Sequence, residues 1–478
     1  MLKKVRRYYL FVIGCQMNVS DAERLAAKLK KLGYQAASQE KDADLIIAVA
    51  CSVRQIAIDR VFGRAVQWRE LKRKNPHLKI LVTGCVLPDD RPKFDKLFDG
   101  YFDIKRLDTF VIPAEAYSVC EANGLNKAGI QQNSLKASFP GFPTRLQARQ
   151  VKSGMTGQSG TLDCGYLKMS PHYNSKFQAF VPIMTGCNNF CTYCAVPLTR
   201  GREVSRPFNE IIKEVRALIK NDYKEITLLG QNVNNYGQPW TLPASRSRTS
   251  TWLSFSQLLE EIAKLPGDFW LRFLTSNPWN FNEDIIKVMA RYSNKIAPYV
   301  HLPIQSGNNA VLKRMNRRHT VEQYKTLIKK LRAAIPGLAI STDIIVGFSG
   351  ETKKQFEETA KLMRWAKYDM AFLAKYSPRR GTLAAKKWKD NVSPSEKTRR
   401  FNILNKILAE SALKNNKKYL DRKARVLVES YDKRTGRLSG RTDTFKLTHF
   451  AGPQKLAGQF VDVIIKEVGP WWLKGVLV

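Results

Sequence analysis

The chain has 478 residues, and its 80 Lys and Arg residues against 41 Asp and Glu residues give a formal net charge of +39. This length suggests about three domains, and this charge favours a polyanionic partner such as nucleic acid, with simple surface solvation as the other interpretation. No uninterrupted apolar stretch approaches the roughly 20 residues of a membrane span, and eight cysteines do not indicate a disulfide scaffold. We therefore expect a protein of the reducing cytoplasm with no membrane partner.

The first third of the chain predicts an α/β domain with a Rossmann-like parallel sheet. Short β-rich runs at residues 8–14, 45–50 and 79–83 alternate with amphipathic helical stretches. Ser20 and Glu23 have the spacing of a capping box, which predicts that the first helix begins there. The basic and apolar N-terminus imitates a lipoprotein signal peptide, but its apolar run is short, so we interpret it as the first strand.

Residues 131–178 lose this periodicity and are rich in Ser, Gly, Gln and Lys, which predicts a linker or a mobile insertion. Cys120 and Cys164 lie near or within this segment. Neither has a second cysteine at ligand spacing, so we interpret both as incidental free thiols.

From residue 179 the alternation of strands and helices resumes. Six strands are predicted, at 179–184, 225–229, 270–275, 299–304, 339–346 and 371–376, with helical segments such as 209–220, 255–264 and 321–334 between them. Six such units predict a partial (βα)6 barrel, open on one side, with its active site at the carboxyl ends of the strands.

After a basic helix around residues 397–418, the pattern predicts strands at 425–431, 432–436, 445–449, 459–468 and 472–478. Period-two alternation in this region indicates a small β-barrel. The expected organisation is an N-terminal domain at 1–130, the linker at 131–178, the central barrel at 179–412 and the C-terminal barrel at 413–478.

Cys187, Cys191 and Cys194 form a C-x3-C-x2-C cluster directly after a predicted strand. Three thiolates hold three irons of a [4Fe–4S] cluster and leave the fourth iron open. This vacancy suits S-adenosylmethionine, whose amino and carboxylate groups chelate such an iron. A zinc knuckle is the other interpretation, but a structural zinc site needs a fourth ligand, and no further Cys or His is close in sequence.

Cys15, Cys51 and Cys85 each follow one of the first three predicted strands. Because the carboxyl ends of parallel strands share one edge of a sheet, three thiols that are far apart in sequence can meet there. Each cysteine alone is more often a core residue, but three in equivalent positions predict a second cluster, also with an open iron.

These motifs resemble those of the radical S-adenosylmethionine methylthiotransferases, and the resemblance covers nearly the whole chain outside the insertion. It is carried by Gly14-Cys15-Gln16-Met17-Asn18, Cys51-Ser52-Val53-Arg54, Thr83-Gly84-Cys85, the segment from Cys187 to Cys194, and Thr199-Arg200-Gly201-Arg202-Glu203. The C-terminal part of the chain, residues 413–478, resembles a TRAM RNA-binding module. The residues after Cys15 and Cys51 are most similar to the MiaB-type branch, which acts on isopentenyladenosine beside the anticodon.

The resemblance implies two [4Fe–4S] clusters and two molecules of S-adenosylmethionine per turnover. One molecule methylates a sulfur at the auxiliary cluster of Cys15, Cys51 and Cys85, and the other yields the radical that takes hydrogen from the target adenine. The implied partners are the anticodon stem-loop of tRNA, an electron donor such as flavodoxin or ferredoxin, and sulfur or cluster supply proteins. Alternative substrates are threonylcarbamoyladenosine and a ribosomal-protein aspartate, and the non-enzyme alternative is an RNA-binding iron–sulfur sensor.

Eight further residues are candidates because of their places beside these motifs. We expect four to contact the cofactor, with loop packing as the alternative: Tyr193, Gln231, Asn232 and Gln305. We expect four to bind substrate, namely Asn18 near the auxiliary cluster and the phosphate-binding candidates Arg200, Arg202 and Arg206, for which a surface or strand-pairing role is the alternative.

Overall fold

The computed structural model describes residues 5–53, 55–110, 165–238 and 253–478. Cys120, Cys164 and most of the predicted linker at 131–178 lie outside these residues. In the described part of the chain, no helix is both long and apolar enough to cross a lipid bilayer.

The N-terminal unit is a five-stranded parallel sheet of order β2-β1-β3-β4-β5, as the alternating pattern predicts. Its strands are β1 (Arg7–Val12), β2 (Gln35–Ala36), β3 (Leu45–Cys51), β4 (Lys79–Cys85) and β5 (Gly100–Tyr101). Its helices are α1 (Gln16–Lys31), α2 (Gln55–Lys74) and α3 (Arg91–Asp95). The central strand β3 is apolar and buried along its whole length, as expected for a parallel sheet covered on both faces.

The first helix begins earlier than the capping-box prediction, which was wrong. Helix α1 starts at Gln16 with Cys15 as its N-cap, and the Asn18 side chain accepts the backbone N–H of Cys15 at 3.4 Å. Ser20 and Glu23 are buried inside the helix, where Ser20 Oγ accepts a hydrogen bond from Arg24 at 2.7 Å. Asn18, three residues after the N-cap, therefore accepts the N-cap backbone N–H, which is the role that the sequence pattern predicted for Glu23.

The central unit is the expected partial barrel of six parallel strands. It forms two three-stranded sheets, joined by a parallel bridge between Leu271 and Ile296. The six parallel strands are β6 (Gln178–Pro182), β9 (Glu225–Leu229), β10 (Trp270–Phe273), β11 (Tyr299–His301), β12 (Ala339–Val346) and β13 (Met370–Lys375). A short antiparallel pair, β7 (Met184–Thr185) and β8 (Val204–Ser205), lies beside the loop that carries Cys187, Cys191 and Cys194.

The helices of the central unit are α4 (Val196–Arg200), α5 (Phe208–Lys220), α6 (Phe255–Ala263), α7 (Glu283–Arg291), α8 (Asn309–Arg314), α9 (Val321–Ala334), α10 (Lys353–Ala366), α11 (Leu383–Lys387) and α12 (Pro394–Asn416). Most of them pack on the outer face of the half-barrel, whereas α4 contacts the N-terminal sheet and α11 lies beside the loop that carries the three cysteines. Alternate residues of each strand, such as Ile340 and Ile344 of β12, pack into the core with these helices. Because side chains alternate along a strand, the intervening residues Ser341 and Asp343 face the barrel interior.

The C-terminal unit is a closed five-stranded barrel. Its strands are β14 (Lys423–Asp432), β15 (Arg437–Thr442), β16 (Leu447–Ala451), β17 (Phe460–Val468) and β18 (Leu473–Leu477). The predicted strand at 432–436 was wrong, because Asp432 ends β14 and residues 433–436 form the turn before β15. Asp432 accepts the backbone N–H of Arg434 at 2.9 Å, and Gly436 adopts a φ of +66° that closes the turn.

The C-terminal barrel packs against the amino ends of the half-barrel strands. Tyr299 at the start of β11 stacks on Phe445 with ring centroids 5.1 Å apart. Arg272 of β10 pairs with Glu225 of β9 and donates to the Thr442 carbonyl at 2.9 Å. These contacts close the end of the half-barrel that lies opposite the cysteines.

Candidate active site

Cys187, Cys191 and Cys194 lie on one loop between β7 and α4. Gly186 opens this loop with a φ of +82°, and a Cβ at this position would lie 1.9 Å from the Arg202 carbonyl oxygen, so only glycine fits. The backbone N–H of Cys194 donates to the Cys191 carbonyl at 2.9 Å, which closes a tight turn between two of the three thiols.

Two N–H groups are directed at the sulfurs of this loop, whereas burial favours their protonated form. Arg317 Nη1 lies 3.6 Å from Cys191 Sγ, and the Val196 N–H lies 3.5 Å from Cys194 Sγ. Burial raises the pKa of Cys187 to about 12 and also raises the pKa of Cys194. Since a metal ligand must be deprotonated, iron has to displace these protons when it binds.

Cys51 and Cys85 end the neighbouring strands β3 and β4 and are partners in the sheet register. A hydrogen bond with the Cys51 thiol, followed by burial, raises the pKa of Cys85. The third cysteine of this trio, Cys15, follows β1 and caps α1. Asn18 Oδ1 lies 3.4 Å from the Cys15 sulfur, and its Nδ2 donates to the Ala50 carbonyl at 3.1 Å. The carboxyl edge of the sheet therefore carries all three thiols.

Two arginines of the central unit reach this edge of the N-terminal sheet. Arg200 Nε donates to Cys85 Sγ at 2.9 Å, and its guanidinium forms an ion pair with buried Asp21. Arg379 donates to the Ser52 carbonyl and pairs with Asp90 at 3.2 Å. The two guanidinium groups therefore attach the central unit to the sheet edge that carries Cys15, Cys51 and Cys85.

The donor sets fit iron–sulfur clusters, because each trio consists of cysteine sulfurs, the ligand type that holds such clusters. The N–H groups directed at Cys85, Cys191 and Cys194 are the hydrogen bonds to sulfur that stabilise cluster ligands.

The cofactor candidates lie around the loop that carries Cys187, Cys191 and Cys194, the radical-cluster loop. Tyr193 packs edge-on to Phe348 with ring centroids 6.5 Å apart, and its pKa is raised chiefly by burial. Gln231 accepts the backbone N–H of Gly186, so it supports the cysteine loop directly. Gln305 is buried and adopts a φ of +75° just after β11.

Asn232 and Glu203 form a second buried support beside the loop. Asn232 Nδ2 donates to Glu203 Oε1 at 3.3 Å, and Asn235 Nδ2 donates to Glu203 Oε2 at 2.9 Å. Asn232 Oδ1 is buried with no hydrogen-bond partner, so an acceptor beside the loop is left for a ligand. Glu203 also contributes to the raised pKa of Cys187.

The expectation that Arg200 and Arg206 bind RNA phosphate at the surface is corrected by the structure. Both side chains are buried, at 2% and 4% exposure. Arg206 pairs with Glu214, and Arg200 pairs with Asp21 and Cys85. Guanidinium groups that already satisfy buried carboxylates are not available to phosphate. Arg202 is exposed and remains a prediction.

Three supporting residues were missed by sequence reasoning: Asp21, Glu203 and Arg317. Each carries a charge, and charged residues are normally placed at the surface in the absence of structural information. Glu203 could have been found from its position, because it lies in the segment Thr199–Glu203 that resembles the methylthiotransferases. Asp21 lies between Ser20 and Glu23 of the predicted capping box but has no role in that pattern, and Arg317 lies in no motif that sequence reasoning singled out.

Comparisons with known proteins agree with this division of the chain. The radical SAM superfamily model matches residues 181–363, the TRAM domain model matches residues 417–478, and the model described as uncharacterized protein family UPF0004 matches residues 7–102. A tRNA-2-methylthio-N(6)-dimethylallyladenosine synthase of Clostridium tetani is 38% identical over 98% of this chain and 95% of its own length. The chain belongs to the radical S-adenosylmethionine methylthiotransferase family.

Other members and one solved structure support this placement. A synthase of the same name from Carboxydothermus hydrogenoformans is 39% identical over 99% of both chains. The radical S-adenosylmethionine methyltransferase TsrM of Kitasatospora setae, solved with cobalamin and a [4Fe–4S] cluster, has a TM-score of 0.51 at 12% identity and covers 80% of this chain and 74% of its own. At this identity, TsrM supports the fold alone. Methylthiotransferases are radical enzymes that use S-adenosylmethionine and [4Fe–4S] clusters.

Proposed function

We propose that this methylthiotransferase converts isopentenyladenosine next to the anticodon of tRNA to its 2-methylthio derivative. The observation that carries this proposal is the 38% identity to a tRNA-2-methylthio-N(6)-dimethylallyladenosine synthase over 98% of the chain. The geometry agrees, because each of two thiol trios lies at the carboxyl end of a parallel sheet, where α/β proteins place their sites.

The two trios have different roles in this proposal. Cys187, Cys191 and Cys194 would hold the cluster that binds S-adenosylmethionine. Cys15, Cys51 and Cys85 would hold the auxiliary cluster, which would supply the sulfur for transfer. The bound groups supply one-electron cleavage and sulfur transfer, which no side chain provides. The protein contributes position, because Arg317 contacts one trio and Arg200 the other.

The remaining candidates complete the site. Tyr193, Gln231, Asn232 and Gln305 surround S-adenosylmethionine at the mouth of the half-barrel. Asn18, which is fully buried, supports the auxiliary site through its contact with the Cys15 sulfur, and its contact with the substrate stays a prediction. Exposed Arg202 provides a phosphate contact at the same rim.

The C-terminal barrel and the net charge of +39 support binding of the anticodon stem-loop. The proposed domain limits remain 1–130, 131–178, 179–412 and 413–478. We place the enzyme in the cytoplasm, where tRNA and a donor such as flavodoxin or ferredoxin are available. Sulfur or cluster supply proteins restore the sulfur that each turnover consumes.

The decisive experiment is anaerobic turnover of the iron-reconstituted enzyme with S-adenosylmethionine, a reductant and tRNA, followed by mass spectrometry of the nucleosides. We expect 2-methylthio-isopentenyladenosine from tRNA that carries isopentenyladenosine. Product only from threonylcarbamoyladenosine tRNA or from a ribosomal protein would contradict the substrate assignment. RNA binding without deoxyadenosine formation would favour the iron–sulfur sensor instead.

A further inference from the structure

The inner face of the last strand of the half-barrel carries an exposed apolar patch. Met370 is 37% exposed and Phe372 is 51% exposed, whereas Ala371 between them is buried with the outer helices. Alternation along a strand therefore directs both large side chains into the barrel. Large apolar side chains that remain open to solvent inside a cavity are available to an apolar ligand.

A polar wall lies directly beside this patch. Asp343 of β12 is the register partner of Phe372, and its Oδ2 lies 3.5 Å from His301 Nε2. Ser341 Oγ holds the other nitrogen of His301 at 2.8 Å, and the His301 ring meets Phe372 edge-on at 5.7 Å. The aromatic ring of Phe372 and the carboxylate of Asp343 therefore have fixed positions next to each other.

The patch lies below the radical-cluster loop. Ile345, two residues after Asp343 on the same face of β12, packs against the same buried group as Tyr193, which precedes Cys194. Two residues of a strand span roughly 7 Å. Asp343 and Phe372 therefore lie inside the barrel, roughly 7 Å along the strand from the layer that contacts the radical-cluster loop. A nucleobase that enters the barrel at the carboxyl ends of its strands would reach them.

We propose that Phe372 and Met370 bind the isopentenyl group of the target nucleotide and that Asp343 accepts its N6–H. This inference rests on the proposed function, which requires C2 of adenine to face the radical-cluster loop. C2 and C6 lie on either side of N1, so their substituents diverge, and a base with C2 at the loop has its N6 substituent directed deeper into the barrel, where the patch lies. An isopentenyl chain gains from apolar contact, whereas the carboxylate of a threonylcarbamoyl group would be repelled by Asp343.

The test compares two anticodon stem-loop RNAs that differ only in isopentenyladenosine or adenosine at the target position. For reconstituted holoenzyme, fluorescence anisotropy gives the Kd of each RNA, and initial rates give kcat/KM. Phe372→Ala should lower the preference for the prenylated RNA roughly ten-fold in both quantities, and Phe372→Leu should retain most of it. Val66→Ala, which truncates a side chain that is 59% exposed on α2, is the matched control and should change neither.

An unchanged preference in Phe372→Ala would overturn the inference, even with normal turnover. Failure of the proposed function appears differently, as wild-type enzyme that forms no 2-methylthio product from either RNA. The Kd ratio is measured without turnover, so it tests the patch in that case too. A wild-type protein that binds both RNAs equally would also overturn it.

Discussion

The guanidinium of Arg200 donates to the sulfur of Cys85 at 2.9 Å and ion-pairs with Asp21 in the same buried space. Arg200 ends helix α4, which begins two residues after Cys194. One short helix therefore links Cys194 of one trio to Cys85 of the other. The proposed sulfur transfer needs both trios close to one substrate, and this link holds the two trios next to each other.

Loss of Arg200 should destabilise the protein and the auxiliary site. Arg200→Ala leaves Asp21 buried without its partner, which costs roughly 3–5 kcal/mol. We expect a lower midpoint in urea and incomplete iron loading at Cys15, Cys51 and Cys85. Exposed Arg202→Ala is the control and should stay within about 0.5 kcal/mol of wild type. Equal midpoints for the two variants would contradict the proposed link.

Glu23 should make stability depend on pH. Its side chain is buried on α1, and burial raises its pKa to about 7 from the ordinary 4.5. Because the folded state holds this proton more tightly than the unfolded chain, its contribution to stability is complete below pH 4.5 and is lost as the pH rises to about 7. Glu23→Gln cannot ionise, so it should gain stability relative to wild type across this window.

The measurement is the urea midpoint of wild type and Glu23→Gln at several pH values from 5 to 8. The difference should grow with pH by up to roughly 3 kcal/mol. Glu70→Gln, at a side chain that is 58% exposed, is the control. A difference that is constant with pH would show that Glu23 does not titrate in this range.

The C-terminal barrel should lose its fixed orientation when Phe445 is removed. Phe445→Ala deletes the ring that stacks on Tyr299, and such pairs contribute roughly 0.5–1.5 kcal/mol beyond their buried area. We expect a lower unfolding midpoint and weaker tRNA binding, measured by anisotropy. Val476→Ala, which is exposed on the same barrel, is the control. Unchanged tRNA affinity would indicate that the barrel binds RNA independently of its docking.

Binding of tRNA should weaken steeply with salt, because contacts with phosphate release counterions. A protein that makes six to ten such contacts loses roughly a thousand-fold or more in affinity between about 50 and 200 mM salt. The measurement is the Kd of unmodified tRNA across this range. A nearly flat dependence would contradict the assignment of the basic surface to RNA.

Local patterns were sufficient to predict the longer parallel strands and the places of the six cysteines relative to them. The β-rich run that became β3 is apolar along its length, and all six cluster cysteines follow strands or share one loop. Long-range pairing was not predictable, because Arg200 and Asp21 lie 179 residues apart in the chain. The same limit explains the wrong prediction for Arg206. Its position beside a basic motif suggested a contact with RNA phosphate, but in the structure its guanidinium pairs with Glu214.

The most direct test of the central claim, two clusters with separate roles, uses two triple variants in the turnover assay. With Cys15, Cys51 and Cys85 all changed to Ala, we expect deoxyadenosine formation to continue while 2-methylthio product disappears. With Cys187, Cys191 and Cys194 changed to Ala, we expect neither product. Methylthiolated tRNA from the first variant would contradict the account.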